Sequence, residues 1–347
     1  MRRHEYERVV SRRGERSGCL MTIAVHSTRL GPALGGARMW HYPEPVDAVA
    51  DAKRLAAAMT LKAAAAGLDL GGGKGVLAAP AGEAPSGELR RAILLDFGDL
   101  VEELGGAYVT AEDVGTGADD MDVIAERTHH VVGLDAAHGG SGDPSPVTAL
   151  GVVAAMRACA EERFGSRELS GVRVCVIGLG HVGTRVAELL ATAGARLTVT
   201  DVDSSRRGPM ERLGARWIEP EEAILSRCDV LAPCALGGAI GVAEARELHA
   251  QVVCGAANNI LAEPDAADIL WSRGITYAPD FIANAGGLIS VYGELHHLEH
   301  ERALGLAREI EGTMRAILHS ARRSNDTPQT AARRLAMARL EPQPAGV

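Results

Sequence analysis

Lysine occurs at only three positions in the 347 residues, Lys53, Lys62 and Lys74. The last two fall within Met59–Val76 (MTLKAAAAGLDLGGGKGV), on either side of Gly71-Gly72-Gly73. Arginine stays protonated in proteins, whereas a buried lysine can lose its proton and act as a base. A chain that uses arginine almost everywhere else therefore points to a titratable amine in this segment. Asp113, in Ala111-Glu112-Asp113-Val114-Gly115-Thr116, is a carboxylate at the end of a strand before a glycine turn. That position suits a catalytic group and equally suits a helix cap. A third candidate is Gly178-Leu179-Gly180-His181-Val182-Gly183, with Asp201 placed 23 residues after Gly178. The motif follows an apolar strand and opens a helix, and the acid ends the next strand, as a dinucleotide site requires. Its glycines would admit a pyrophosphate to the helix N-terminus, and Asp201 would accept hydrogen bonds from the ribose hydroxyls. A carboxylate there repels a 2′-phosphate, so NAD is expected over NADP; Arg206 and Arg207 nearby are the opposing signal.

The elements that must position these groups form an alternating α/β pattern. Met21–Ser27 reads as a strand, Leu30–Trp40 as a glycine-rich loop, and Pro45–Ala66 as a helix on which Met59 and Lys62 share a face. The glycine run then leads into a strand over Gly75–Ala79. A helix over Gly87–Leu104, a strand over Ala107–Thr110, a short helix over Ala118–Glu126 and a strand over His130–Val132 complete a three-layer unit. Gly139–Pro146 (GGSGDPSP) is a cluster of turn residues and the expected domain boundary. Beyond it come a helix over Val147–Phe164, strands over Val172–Ile177 and Arg196–Thr200, and further strands over Asp229–Pro233, Gln251–Cys254 and Thr276–Ala278. This is the alternation of a doubly wound parallel sheet. The loops after its last three strands carry Ala235 and Leu236, Asn258 and Asn259, and Asn284, at the edge where such sheets bind ligands. From Leu288 the chain reads as mostly helical to Ser324, with a last helix after Thr327-Pro328.

Composition bounds the function classes. At 347 residues two domains are expected. A net charge of −9 gives no general basic surface for nucleic acid or anionic membrane, and favours a small metabolite as partner. The six cysteines show no C-x-x-C spacing and read as reduced structural thiols of a cytoplasmic protein. Residues 1–18 lack the apolar stretch of a signal peptide, and no run of roughly 18 apolar residues suggests a membrane span. His296, His297 and His300 have no partnering cysteine or H-E-x-x-H pattern, so no metal is expected.

In order along the chain, GPALGGARMW, MTLKAAAAGL, GGGKGV, TAEDVGT, SGDPSPVTALGV, GLGHVG, PCALGG, GAANN and YAPDFIANAGG resemble the bacterial branched-chain and aromatic amino acid dehydrogenases, relatives of glutamate dehydrogenase. The resemblance covers nearly the whole chain. It implies a two-domain α/β fold: a substrate-binding and oligomerisation domain (1–138, joined by a tail over about 318–347) and a Rossmann NAD-binding domain (139–317), separated by a cleft. It also implies NAD-dependent, reversible oxidative deamination of an L-amino acid. By motif, Lys62 resembles the lysine that holds the substrate carboxylate, Lys74 the catalytic lysine, and Asp113 the acid that exchanges protons with the substrate nitrogen. Two lysines in one closed cleft would repel each other and lower the pKa of one. Gly35, Gly36 and Asn259 would complete carboxylate recognition, and Thr148 and Asn284 would lie near the nicotinamide carboxamide, with Ala235 and Leu236 in the cofactor-binding set. The side-chain pocket maps to Leu34, Met59, Ala111, Leu288 and Val291, all apolar, which argues against glutamate as substrate. Leu34 and TAEDVGT are similar to leucine dehydrogenases. MTLK and DILWSRGITYAPDFIANAGG are similar to actinobacterial phenylalanine dehydrogenases. Leu288 would shrink the pocket and favour leucine, valine or isoleucine, with a phenylalanine-type or other bulky amino acid enzyme as the alternative. A non-catalytic NAD-binding sensor is the alternative of another class. A homo-oligomer is expected, although the short N-terminal region departs from the family, where that region helps subunits assemble.

Overall fold

The computed structural model describes residues 5–341. The chain divides into two compact units, one of Met1–Gly142, Val291–Leu298 and Ala336–Val347, the other of Asp143–Ser290 and Glu299–Leu335. The sequence division had assigned all of 318–347 to the first unit; residues 318–335 group with the second.

The first unit is built on a five-stranded sheet of β1 (Arg8–Arg13), β2 (Leu20–Ser27), β3 (Ala33–His41), β4 (Gly71–Ala79) and β5 (Tyr108–Glu112), in the order β1-β2-β4-β3-β5. The β1, β2 and β4 neighbours run antiparallel, and β4, β3 and β5 run parallel. Helix α1 (Pro45–Ala65) covers one face. Its Ala48, Ala52 and Ala56 recur every four residues and pack on Ala24 and Val76, so small side chains let the helix lie close to the sheet. The opposite face carries the larger core. Ile93, Leu94, Phe97 and Leu100 of α2 (Gly87–Glu102) and Met121 and Ile124 of α3 (Ala118–Ala125) bury Met21, Ile23, Leu77 and Tyr108.

Here the structure corrects several sequence expectations. Leu30–Trp40 is not a loop, because Ala33–His41 forms β3, an interior strand. The glycine run is not a lead-in, because Gly71, Gly72 and Gly73 belong to β4 itself. A Cβ on Gly72 would stand 2.1 Å from the Thr60 backbone nitrogen of α1, and one on Gly73 would stand 2.6 Å from the Tyr108 ring. These glycines are therefore packing residues of a strand squeezed on both faces, not turn residues. The expected strand at His130–Val132 reduces to one bridge, Thr110 to Val131. The arginine-rich first segment supplies an edge strand, β1, that the sequence reading did not assign.

The second unit begins with α4 (Ser145–Phe164) and a six-stranded parallel sheet. Its strands are β6 (Arg173–Ile177), β7 (Arg196–Thr200), β8 (Arg216–Trp217), β9 (Val230–Pro233), β10 (Val252–Val253) and β11 (Thr276–Tyr277), in the order β11-β10-β9-β6-β7-β8. The connecting helices are α5 (His181–Thr192), α6 (Arg207–Arg212), α7 (Pro220–Ala223), α8 (Val242–Glu247), α9 (Asp265–Ser272) and α10 (Asp280–Ala283). Strand order reverses at β6, which has β7 on one side and β9 on the other; this is the switch point where doubly wound sheets open a crevice. The chain ends in α11 (Gly286–Leu295), α12 (His300–Ser324) and α13 (Pro328–Leu340). His296 and His297 follow the end of α11 and His300 opens α12, so the three histidines do not lie on one continuous helix.

Candidate active site

Side-chain alternation along β4 sends Gly73 and Gly75 toward Tyr108 and Phe97 on one face, and Gly72 and Lys74 toward the α1 face. Lys74 is the only charged side chain of the glycine-rich strand, and it is 4% exposed. Its Nζ lies 3.0 Å from Oδ2 of Asp113. Arg38, on β3, donates from Nε to that same oxygen at 2.8 Å and from Nη1 to Oδ2 of Asp51 at 3.1 Å. Asp51, on α1, also accepts from the Tyr42 hydroxyl at 2.7 Å and from Arg54.

Asp113 is held by a clamped turn directly after β5. Its backbone N–H donates to Thr116 Oγ1, Thr116 returns its own N–H to the Asp113 carbonyl, and the Thr116 hydroxyl donates to the Ala37 carbonyl at 2.8 Å. Gly115 takes φ +84° in this turn, where a Cβ would also meet the Met39 carbonyl oxygen at 2.1 Å. The helix-cap alternative for Asp113 is decided by α3: its N-cap is Gly117, whose N–H is satisfied by Asp120, so the Asp113 carboxylate is left to Lys74 and Arg38.

Burial is the main force lowering the Lys74 pKa. Asp113 opposes it, and Arg38, a like charge, adds to the lowering. Arg38 is thus a like-charged neighbour that acts on Lys74, beside the lysine pair the sequence had brought into view. For Asp113, burial acts to raise the pKa, but Lys74 and Arg38 together outweigh it and hold the carboxyl below its usual range. The site therefore sets a carboxyl whose pKa is lowered by two cations beside an amine whose pKa is lowered by burial.

The remaining substrate-site candidates are distributed as follows. Leu34 and Ala111 are buried on β3 and β5. The Gly35 carbonyl accepts from the buried Tyr108 hydroxyl at 2.5 Å, and a Cβ on Gly36 would meet Asp113 Cβ at 2.7 Å, so both glycines are required by close backbone approach. Met59 and Lys62 are half-buried on α1, and Val291 is half-buried on α11. Leu288, buried, and Asn259, exposed with φ +52°, belong to the second unit. Within the first unit the geometry joins Lys74, Asp113 and Gly36. Arg38, Asp51 and Tyr42 complete that cluster and were missed from sequence. The available signal was Arg38 standing two residues after Gly36, on the same strand face.

The second site is built mainly from backbone. At the switch point, a Cβ on Gly178, which has φ +97°, would lie 2.6 Å from Ala235 Cβ, and one on Gly183 would lie 2.0 Å from the Gly178 carbonyl oxygen. Gly180 differs: it is exposed, and a Cβ there would meet nothing within 4 Å. Gly180 is also the N-cap of α5, and no side chain caps the first N–H groups of that helix at His181, Val182 and Gly183. Asp201 is fixed at the C-terminal end of β7 by accepting from Leu179 N at 2.5 Å and Asp203 N at 2.8 Å. This cradle fits a dinucleotide: an uncapped helix N-terminus for the pyrophosphate and an oriented acid for the ribose. Thr148 is buried with its hydroxyl on the Pro144 carbonyl. Asn284 donates to the carbonyls of Ala256 and Ala257 and to Asn258 Oδ1, tying α10 to the loop after β10. Leu236 is 87% exposed. Arg206 and Arg207 are paired with Asp203 and Glu211. Among the described residues no group of three or more His, Cys, Asp or Glu could hold a metal, and no helix is long and apolar enough to cross a membrane.

A doubly wound nucleotide sheet, together with a buried lysine–carboxylate pair, defines the class: a dehydrogenase that works with a nicotinamide cofactor. Comparison with known proteins narrows this. The sequence matches the family descriptions "Glu/Leu/Phe/Val dehydrogenase, dimerisation domain" over residues 8–130 and "Glutamate/Leucine/Phenylalanine/Valine dehydrogenase" over 198–342. Residues 152–236 match the NAD-binding domain of the D-isomer specific 2-hydroxyacid dehydrogenases. The chain is 44% identical to leucine dehydrogenase of Bacillus subtilis over 342 residues, which covers 98% of this chain and 93% of that one. It is 43% identical to valine dehydrogenase of Streptomyces coelicolor over 346 residues, covering 98% and 94%. The crystal structure of L-tryptophan dehydrogenase from Nostoc punctiforme superposes with a TM-score of 0.86 at 36% identity, covering 97% and 96%. The chain belongs to the Glu/Leu/Phe/Val dehydrogenase family and is an amino acid dehydrogenase.

Proposed function

We propose that the protein catalyses reversible, NAD-dependent oxidative deamination of an apolar L-amino acid, with leucine, valine or isoleucine favoured, to the 2-oxo acid and ammonia. The single observation that carries this reading is the pairing of a buried, pKa-lowered Lys74 with an ionised Asp113 at 3.0 Å. Lys62 holds the substrate carboxylate, assisted by backbone at Gly35 and Gly36 and by Asn259. NAD, when bound, accepts the hydride from Cα. The chain's own residues manage the protons: neutral Lys74 takes one from the water that attacks the imino carbon, and Asp113 exchanges one with the substrate nitrogen. Asp201 supports NAD over NADP, because a 2′-phosphate would face its carboxylate while Arg206 and Arg207 are engaged with their own acids. Thr148, Asn284, Ala235 and Leu236 line the cofactor side of the reading.

The side-chain pocket residues that the family resemblance implies, Leu34, Met59, Ala111, Leu288 and Val291, are all apolar and offer no cation for a side-chain carboxylate. The tryptophan dehydrogenase likeness supports a bulky substrate as the second reading. The dimerisation-domain match over 8–130 supports a homo-oligomer. The cysteines, all free and five of them buried, suit the cytoplasm. The test is NADH formation with leucine, valine, isoleucine, phenylalanine, tryptophan and glutamate at high pH. Fastest turnover of a branched-chain substrate supports the reading, fastest turnover of an aromatic one replaces it with the second, and turnover of glutamate alone overturns both.

A further inference from the structure

Asp113 presents its two oxygens unequally. Lys74 and Arg38 both converge on Oδ2, at 3.0 and 2.8 Å. Among the described residues Oδ1 receives no hydrogen bond, and it is not a buried orphan, so it remains open to an incoming donor. Arg38 is itself unable to swing away. Its second prong is held by Asp51 on α1, and that carboxylate is fixed in turn by Tyr42 and Arg54. The guanidinium thus bridges a helix and the turn after β5 with two donors in a fixed plane, a geometry that lysine cannot reproduce.

We propose that Arg38 is a positioning residue that commits Oδ2 of Asp113 to the protein and so leaves Oδ1 as the oxygen that meets the substrate nitrogen. This rests on the amino acid dehydrogenase reading of the same site and adds to it a named atom and the residue that selects it. A consequence follows for the neighbouring amine. The charged groups that bear on Lys74 are Asp113 beside it, Arg38 on β3 and Asp51 on α1, with Lys62 further along the same helix. Beneath the strands Tyr108 is fully buried, and burial pushes its pKa up, so it stays neutral. Arg38 and Asp51 act on Lys74 with opposite sign: Arg38 disfavours the ammonium form and Asp51 favours it.

The test is the pH dependence of kcat/KM for the full-length wild type and for Arg38→Gln, Arg38→Lys and Asp51→Asn, with circular dichroism for folding and an NADH titration for cofactor binding. Arg38→Gln is expected to lower kcat roughly 100-fold, in the range of a displaced general acid or base, with NADH binding unchanged. Its acid limb should move to higher pH, because Lys74 then keeps its proton longer. Asp51→Asn should move the acid limb to lower pH. Arg38→Lys keeps the charge but not the fork, so it should keep the limb near its wild-type position with a kcat reduced about tenfold. A merely structural arginine would lower activity in all three variants without moving the limbs in opposite directions. Wild-type kcat in Arg38→Gln, or limbs that do not move, overturns the proposal. If Arg38→Gln fails to fold, Arg38→Lys decides alone, and a wild-type kcat in that variant overturns the proposal. Failure of the underlying reading is distinguishable, since then the wild type itself oxidises no apolar amino acid and this proposal falls with it.

Discussion

The two sites are made of different material. In the first unit, titratable side chains from β3, β4, α1 and the turn after β5 share two carboxylates, and burial makes each charge depend on its neighbours. In the second unit, the nucleotide site proposed at the switch point consists of glycine backbone and a helix end without a side-chain cap, with Asp201 oriented beside it. A backbone cradle binds without needing to titrate. A buried charge network can change protonation during a reaction, but removing one member leaves another uncompensated. Chemistry and cofactor recognition should therefore be separable by mutation.

The comparison would break first at Asp113. Asp113→Asn removes the carboxylate that accepts from both Lys74 and Arg38, and turnover is expected to fall by about 10³-fold or more with NADH affinity within twofold of wild type, measured by steady-state kinetics and fluorescence titration. At the other site, Asp201→Ala, with folding checked by circular dichroism, is expected to weaken NAD binding roughly 10- to 30-fold, the equivalent of about 1.5 to 2 kcal/mol for hydrogen bonds to a charged group. The same variant should narrow the preference for NAD over NADP, and an unchanged ratio would remove Asp201 from cofactor selection. Smaller again is the pocket. Leu288→Ala should shift the kcat/KM ratio toward phenylalanine by about tenfold, within the roughly 1 to 3 kcal/mol that small changes of pocket volume produce.

Away from both sites, the stability of the first unit should depend on acid. Burial acts to raise the Asp96 pKa, but the Ser17 and Arg16 donors outweigh it, and the value is lowered in the folded state. A depressed carboxyl stabilises the fold fully above its unfolded pKa of about 3.9 and loses that contribution as pH falls through the lower folded value. Urea midpoints of wild type and Asp96→Asn should therefore differ at neutral pH and converge in strong acid.

How much was legible in the sequence differs between the two regions for a physical reason. The nucleotide cradle is local: Gly178, Gly180, Gly183 and Asp201 lie within one strand–helix–strand passage, and their spacing alone describes the site. The first site joins residues from Arg38 to Asp113 through strand neighbours that are not consecutive in sequence, since β4 lies between β2 and β3. Lys74 and Asp113 could be marked individually, by the rarity of lysine and by a strand-end acid, but their contact could not. Arg38 was hidden because its one signal, a place two residues after Gly36, counts only once Leu30–Trp40 is read as a strand and sheet register sets it beside Asp113. The same non-local packing explains why Gly35, Gly36 and Gly71–Gly73 read as loops. Local rules treat glycine as punctuation, whereas here Thr60, Tyr108, Phe97 and the neighbouring strands press too closely for any side chain.

The central claim is that Lys74 is the titratable catalytic amine and serves chemistry rather than cofactor binding. Its most direct test is Lys74→Ala, assayed for NADH formation from the preferred branched-chain substrate and titrated with NADH alone. The account expects turnover to drop by about 10³-fold or more while NADH binds as tightly as in the wild type. Turnover at the wild-type rate would contradict it.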